Sequence, residues 1–230
     1  MSANEAAEAL RRFARLDSCT LSDALDRLSL TGCVTGLLPR SVAVRVCGRV
    51  HTVKLSAGPA PATSAPPRHL GTLAIEASAA GEVIAIEQRT GIEAACWGGI
   101  LSYGARQRGV AGVIADGPVR DVDEARDLAF PVFSRSVTAR TARGRIHESG
   151  TDVPVQIGGV VAHPGDYVLA DSSGVVFVRP DRLGEVLAAA EAIAAREAAM
   201  IGRICEGRSI AAVMGADYER MLEKEGEEHS

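Results

Sequence analysis

The sequence lacks the features that mark several classes of protein. Only two of its 25 basic residues are lysines, its formal net charge is −4, and no cluster of basic side chains stands out. A nucleic-acid-binding surface needs such a cluster to neutralise phosphates. No apolar run approaches the roughly eighteen residues of a membrane span, and the start, MSANEAAEALRRF, has no signal-peptide core. These absences predict a cytoplasmic protein with no nucleic-acid and no membrane partner.

Cysteine is scarce and widely spaced. The five cysteines are odd in number and contain no CxxC pair, so neither a disulfide framework nor a structural zinc site is indicated. We expect reduced thiols.

The length and the 47% hydrophobic content predict one domain with a substantial core, spanning 1–230. Apolar spacing indicates an N-terminal helix over about 4–16, and the end of the chain, about 223–230, is an acidic tail. The proline-rich stretch 58–68 cannot form a regular element. We interpret it as a surface loop, with a lid over a site as the alternative.

Helical and strand periodicities alternate along the chain. Alternating apolar residues over 41–55 predict a strand pair bent at Gly48, and EVIAIEQ predicts a buried strand. The stretch 153–180 is interpreted as three strands, followed by a long helix over about 181–206. His51 is expected to be a hydrogen-bonded structural residue, and the basic segment 138–150 a solvated face.

The central stretch 98–121, GGILSYGARQRGVAGVIADGPVRD, combines a glycine-rich turn, a helix, a strand and a second turn. Leu101 and Ala105 lie at helical spacing, and Gly109 marks the helix end. The apolar run that follows predicts a short strand closed by Asp116-Gly117-Pro118. This order places Arg120 and Asp121 together just beyond a strand end.

These residue types suit an acid substrate and a metal ion. Backbone N–H groups of the turn Gly98–Leu101 would form an anion site at a helix N-terminus. Arginine binds a carboxylate through two parallel hydrogen bonds, and aspartate is an oxygen ligand for divalent cations. The alternative is that Arg120 and Asp121 form a local surface salt bridge. Trp97, just before the turn, either fills the core or walls the pocket.

The central stretch resembles the RraA-like family, in which a Gly-Asp/Glu-Leu-Leu turn precedes Arg-Asp at this spacing. SCTLSDALDRL, AAGEVIAIEQ and HPGDYVLADSSGVVFVRP extend the resemblance over roughly 17–210. The family includes 4-hydroxy-4-methyl-2-oxoglutarate/4-carboxy-4-hydroxy-2-oxoadipate aldolases and regulators of RNase E activity. The resemblance implies an α/β fold, an α-β-β-α sandwich of the swivelling β/β/α-like type with a mixed sheet, assembled as a homotrimer or hexamer.

The resemblance also implies class II aldolase chemistry, in which a 4-hydroxy-2-oxo dicarboxylic or related acid releases pyruvate and oxaloacetate is decarboxylated. Arg120 would hold the substrate carboxylate, and Asp121 would bind a divalent cation, Mg²⁺ or alternatively Mn²⁺. The turn Gly98, Gly99, Ile100 and Leu101 would bind substrate, with the N–H groups of the last two facing the oxyanion.

One position departs from the family pattern, because Gly99 stands where the aldolases carry an acid. On this reasoning an acid restored at position 99 would strengthen metal binding. The departure leaves open an aldolase of reduced activity, a lyase with changed chemistry, or a non-catalytic regulator that binds a protein such as an RNase.

Glu197 falls on the apolar stripe of the last long helix. Its carboxylate either reaches solvent from the edge of that stripe or needs a partner, since burying an unpaired charge is costly. In the aldolases a glutamate of the C-terminal helix reaches the metal's waters in a neighbouring subunit. The resemblance therefore implies that Glu197 completes the catalytic set with Arg120 and Asp121.

Overall fold

The computed structural model describes residues 3–61 and 68–215. The acidic tail and most of the proline-rich stretch lie outside these residues. The helices are α1 (Ala3–Phe13), α2 (Ser18–Arg27), α3 (Thr72–Ala77), α4 (Gly99–Gln107), α5 (Val122–Asp127), α6 (Leu183–Cys205) and α7 (Ile210–Val213). The strands are β1 (Cys33–Val34), β2 (Leu38–Pro39), β3 (Val46–Ala57), β4 (Val83–Glu87), β5 (Gly112–Val119), β6 (Val132–Val137), β7 (Ile146–Thr151), β8 (Val155–Ile157), β9 (Val160–Ala162), β10 (Tyr167–Ala170) and β11 (Val175–Val178).

Nine strands form one curled, mixed sheet in the order β1-β11-β10-β3-β4-β5-β6-β2, with β7 also pairing with β3. The strands β3, β4, β5 and β6 run parallel to one another, whereas β10, β11 and β1 form an antiparallel half. Strands β8 and β9 form a separate hairpin. Because β3 pairs with both halves, it joins them into one sheet.

Three apolar clusters define four layers. One cluster lies between the sheet and the helices α3, α4 and α5, and another lies between the sheet and α1, α2 and α6. The third, which includes Phe133 and Phe177, lies between the two halves of the sheet. Burial of these side chains drives the layers together. The order of layers is helix, strand, strand, helix, so the predicted α-β-β-α sandwich with a mixed sheet is confirmed.

The predicted helices at both ends of the sequence are present. Helix α2 begins after Asp17, whose side chain accepts a hydrogen bond from the backbone N–H of Thr20 at 2.8 Å. Helix α6 buries Leu183, Val186, Leu187, Ala190 and Ile193, but its apolar stripe continues into solvent, where Ile201 is 61% exposed. No helix within the described residues is both long and apolar enough to span a membrane.

Two strand predictions were wrong. The segment 41–55 does not form a strand pair, because only β3 is formed there and 41–45 lies outside it. The stretch 153–180 forms four strands, not three, since Gly158-Gly159 closes the separate hairpin of β8 and β9. Alternation identified buried residues within β3, such as Val50, Val53 and Leu55, but Val44, which precedes β3, is 48% exposed. Alternation also did not show which neighbour each strand pairs with.

Gly48 is needed for a close approach between strands, not for a bend between two of them. A Cβ on Gly48 would lie 2.3 Å from the carbonyl oxygen of Gly81 and 3.1 Å from Val83 Cγ2. Backbone cannot yield as a flexible side chain can, so we expect Gly48→Ala to lower the free energy of unfolding by about 1–3 kcal/mol. Urea denaturation measures the change.

The control is Gly184→Ala in α6, where a Cβ would meet nothing within 4 Å. Because alanine favours helix over glycine, this change should be neutral or raise stability by up to about 1 kcal/mol. Equal stability of the two variants would contradict the role given to Gly48.

Candidate active site

The central stretch folds largely as its sequence predicts. Helix α4 buries Leu101 and Ala105 against the sheet, and Gly109, just past its end, has a φ of 79°. Strand β5 runs further than predicted, to Val119, with a shift in its pairing with β6 between Ala115 and Pro118. Arg120 and Asp121 follow directly, so the predicted position beyond a strand end is confirmed.

Asp121 occupies an unusual backbone conformation. Its φ and ψ of 55° and 41° are in the left-handed region, which aspartate and asparagine tolerate better than most residues. Its Oδ2 accepts a hydrogen bond from the backbone N–H of Gly99 at 3.0 Å, and its Oδ1 accepts one from Arg120 Nε at 3.1 Å. The carboxylate is thus held between the arginine and the N-terminus of α4, with a side chain that is 29% exposed.

The two glycines of the turn allow this approach. A Cβ on Gly98 would lie 2.8 Å from Asp121 Oδ2 and 3.1 Å from Arg120 Cγ. A larger residue at position 98 would therefore push the pair away from the helix. No side chain caps α4 at Gly98, and the first intrahelical bond is donated by the Ser102 N–H. The N–H groups of Ile100 and Leu101 precede it and have no acceptor within their own helix.

These groups line one cavity of about 310 Å³. Trp97 lies in its wall and is only 2% exposed, its indole Nε1 donates to Ser102 Oγ at 2.9 Å, and its ring stacks on Phe130. Both proposed roles of Trp97, core filling and pocket wall, are therefore filled by one side chain. The cavity is lined by His69, Leu70, Ala95, Cys96, Trp97, Gly98, Gly99, Ile100, Leu101, Arg120, Asp121, Thr141, Ala142 and Arg143.

Seven of these lining residues were not predicted from the sequence, among them His69, Thr141 and Arg143. The segment 138–150 is not simply a solvated face, because it approaches the cavity before forming β7. Partial burial and the positive charge of Arg143 lower the pKa of His69, which favours its neutral form. The pKa of Cys96 is raised to about 12 by complete burial, so this thiol stays protonated.

Glu197 lies in the opposite helical layer from the cavity of its own chain. It belongs to α6, which packs against α1 and α2, whereas Asp121 precedes α5. Burial raises the pKa of Glu197, and the nearby charges of Asp23 and Asp17 raise it further. The structure thus brings Arg120, Asp121 and the turn together, but not Glu197.

His51 is hydrogen-bonded as predicted, with Nδ1 2.9 Å from Asp152 Oδ1 and Nε2 2.9 Å from Glu82 Oε2. Within residues 3–61 and 68–215, no three His, Cys, Asp or Glu side chains form a group suited to holding a metal ion. A cation near Asp121 would therefore have fewer than three such ligands among the described residues of this chain.

The model of the RraA-like family, described as Aldolase/RraA, matches residues 18–177. The chain belongs to the RraA-like family. The match includes the whole stretch from Gly98 to Asp121 and most of the sheet.

Two relatives of this RraA-like chain have different names. Protein DlpA of Legionella pneumophila is 27% identical over 201 residues, which are 87% of this chain but 32% of DlpA, so the chain spans about a third of that relative. A 4-hydroxy-4-methyl-2-oxoglutarate aldolase of Thermus thermophilus is 29% identical over 138 residues, which are 58% of this chain and 76% of the relative.

A solved structure is similar over most of the chain. Streptomyces coelicolor RraAS2, an unusual member of the RNase ES inhibitor RraA protein family, matches with a TM-score of 0.71 and 25% identity. The match covers 85% of this chain and 96% of RraAS2. This chain thus resembles both a protein named as an aldolase and a protein named as a member of an inhibitor family.

Proposed function

We propose that the protein is a divalent-metal-dependent carbon–carbon lyase that cleaves a 4-hydroxy-2-oxo dicarboxylic or related acid to release pyruvate, and that it also decarboxylates oxaloacetate. One observation carries the proposal: Arg120, Asp121 and the open N-terminus of α4 line the same cavity. Together they supply a carboxylate-binding cation, a metal ligand and two N–H donors.

The donor set around Asp121 fits Mg²⁺. Each carboxylate oxygen accepts one hydrogen bond from within the chain, which leaves lone pairs for a cation. Mg²⁺ keeps several waters and is commonly held by one or two carboxylates, so a group of three protein ligands is not required. Mn²⁺ prefers similar oxygen ligands and should substitute. When bound, the ion supplies Lewis-acid polarisation of the 2-oxo group.

The residues of the chain orient the substrate. The Arg120 Nε is engaged by Asp121, while its two terminal nitrogens make no hydrogen bond or ion pair within the described residues. They can therefore bind the substrate carboxylate in parallel. The N–H groups of Ile100 and Leu101, at the positive end of α4, would stabilise the negative charge that develops on the 2-oxo oxygen.

The position of Arg143 in the cavity wall favours a substrate that carries a second acid group. The cavity is lined by two arginines and one acid, Asp121, and partly buried His69 is biased towards its neutral form. The Arg143 side chain has no hydrogen-bonding or ionic partner within residues 3–61 and 68–215. A dicarboxylate would balance this excess of positive charge, whereas pyruvate alone would not.

Arg143→Ala is therefore expected to raise KM for a dicarboxylic 2-oxo acid about tenfold or more, since a hydrogen bond to a charged group contributes about 1.5–3 kcal/mol. Inhibition by pyruvate, which has one carboxylate, should change little. Arg140→Ala is the matched control, because Arg140 lies in the same segment but pairs with Glu93 and does not line the cavity. A similar change in pyruvate inhibition would contradict a second carboxylate site.

The proposed activity is tested by pyruvate release from 4-hydroxy-4-methyl-2-oxoglutarate and from oxaloacetate, with Mg²⁺ and with EDTA. Metal-dependent release supports the proposal. Absence of release from any 2-oxo acid, together with inhibition of an RNase, would favour the regulator, an alternative supported by the likeness to RraAS2.

We also propose that the chain assembles as a homotrimer or hexamer in which Glu197 faces the cavity of a neighbouring subunit. Burial and the negative charges of Asp23 and Asp17 raise the pKa of Glu197, and a positive group on a neighbouring subunit would offset this unfavourable environment. Light scattering tests the assembly: a monomer in solution would exclude a shared site.

A further inference from the structure

A glutamate outside the predicted set lies at the N-terminus of α4. Glu124, in the first turn of α5, places its Oε2 1.9 Å and its Cδ 2.8 Å from the point where a Cβ on Gly99 would be. A side chain at position 99 would therefore meet the end of the flexible Glu124 side chain, which would have to turn away to make room. The absence of a side chain at Gly99 allows Glu124 to lie against the helix terminus.

The Glu124 carboxylate has no hydrogen bond or ion pair with another described residue. Arg126 of the same helix pairs with Asp123, and the Nε of Arg120 pairs with Asp121, so neither of these bonds is made to Glu124. The same point on Gly99 is 3.3 Å from Asp121 Cβ, so two acidic side chains approach one backbone position. Two neighbouring negative charges repel unless a cation lies between or beside them.

We propose that Glu124 is a positioning residue for the divalent cation held by Asp121, and that it supplies from α5 the negative charge that an acid at position 99 would supply from α4. Its oxygens would accept hydrogen bonds from waters of the cation. This inference rests on the proposed function. It also changes the expectation for an acid restored at Gly99, because that acid and Glu124 would compete for one space.

The first test is Mg²⁺ titration by calorimetry. Glu124→Gln keeps the shape of the side chain and removes its charge, so Mg²⁺ affinity should fall by about tenfold or more. The matched control is Asp123→Asn, which removes an acid from the same helix turn. The Asp123 side chain is 93% exposed and pairs with Arg126, so its loss should change Mg²⁺ affinity less than about twofold.

The second test moves the acid. Glu124→Ala should weaken Mg²⁺ binding, and adding Gly99→Asp to that variant should recover most of the loss, because the space against α4 is then free. Gly99→Asp alone should bind no more tightly than the unmodified protein. Circular dichroism establishes that each variant is folded.

The outcomes separate this inference from the proposed function. If Asp121→Asn weakens Mg²⁺ binding but Glu124→Gln does not, the role of Glu124 is wrong and the metal site stands. The role is also wrong if the folded double variant recovers nothing. If the unmodified protein binds no Mg²⁺, or if Asp121→Asn binds it equally well, the metal-dependent function itself is overturned.

Discussion

Asp121→Asn is expected to lower Mg²⁺ affinity by at least about a hundredfold and to abolish metal-dependent pyruvate release. Removing a group that only supports a metal ligand already costs about 10–100-fold, and Asp121 would be the ligand itself. The fold should be retained, because asparagine tolerates the left-handed backbone and its side-chain oxygen can still accept from the Gly99 N–H. Calorimetry and a coupled pyruvate assay measure the two effects.

The control for this change is Asp127→Asn. Asp127 is the last residue of α5, is exposed, and does not line the cavity. The substitution Asp127→Asn removes the same charge from the other end of the same short segment, so any effect of net charge alone would appear in both variants. Pyruvate release by Asp121→Asn at the unmodified rate would exclude this site from the chemistry.

Arg120→Lys is expected to fail in a different way. Lysine keeps the positive charge but lacks the planar fork that binds a carboxylate with two parallel hydrogen bonds. KM for the oxo acid should therefore rise about tenfold to a hundredfold, since hydrogen bonds to charged groups contribute about 1.5–3 kcal/mol. Mg²⁺ should still bind, because the Asp121 carboxylate remains. Steady-state kinetics at saturating Mg²⁺ measure the change.

Comparing Mg²⁺ affinity and KM between Asp121→Asn and Arg120→Lys separates the role of the aspartate from that of the arginine. Loss of Mg²⁺ binding in Arg120→Lys, with an unchanged KM, would mean that the arginine serves only to orient Asp121. The measurement is informative because the two side chains touch each other, Nε to Oδ1, and act on different partners of the proposed reaction.

Local patterns in the sequence predicted the elements that build the site. Helical spacing identified α4 and its buried Leu101 and Ala105, and the apolar run after Gly109 identified β5. Helical spacing and a short apolar run are both local patterns, since each is visible within the sequence of a single element. The resemblance to the family supplied the order of layers, which local periodicity cannot give.

The residues that arrive from distant segments were not predicted. His69 and Arg143 reach the cavity from irregular stretches that have no periodicity, so only the folded chain shows that they line it. The position of Glu124 was missed for a different reason. It depends on a side-chain conformation made possible by the missing Cβ of Gly99, and the sequence presents that glycine only as an absent acid.

The left-handed conformation of Asp121 has a consequence for how this protein can evolve. Glycine and asparagine are well suited to that conformation, and each is separated from aspartate by a single base transition in the codon. A lineage can therefore lose the proposed metal ligand in one mutational step while the backbone of the turn is preserved. Binding surfaces elsewhere on the protein would persist unchanged, so selection could keep the gene after the proposed chemistry had been lost.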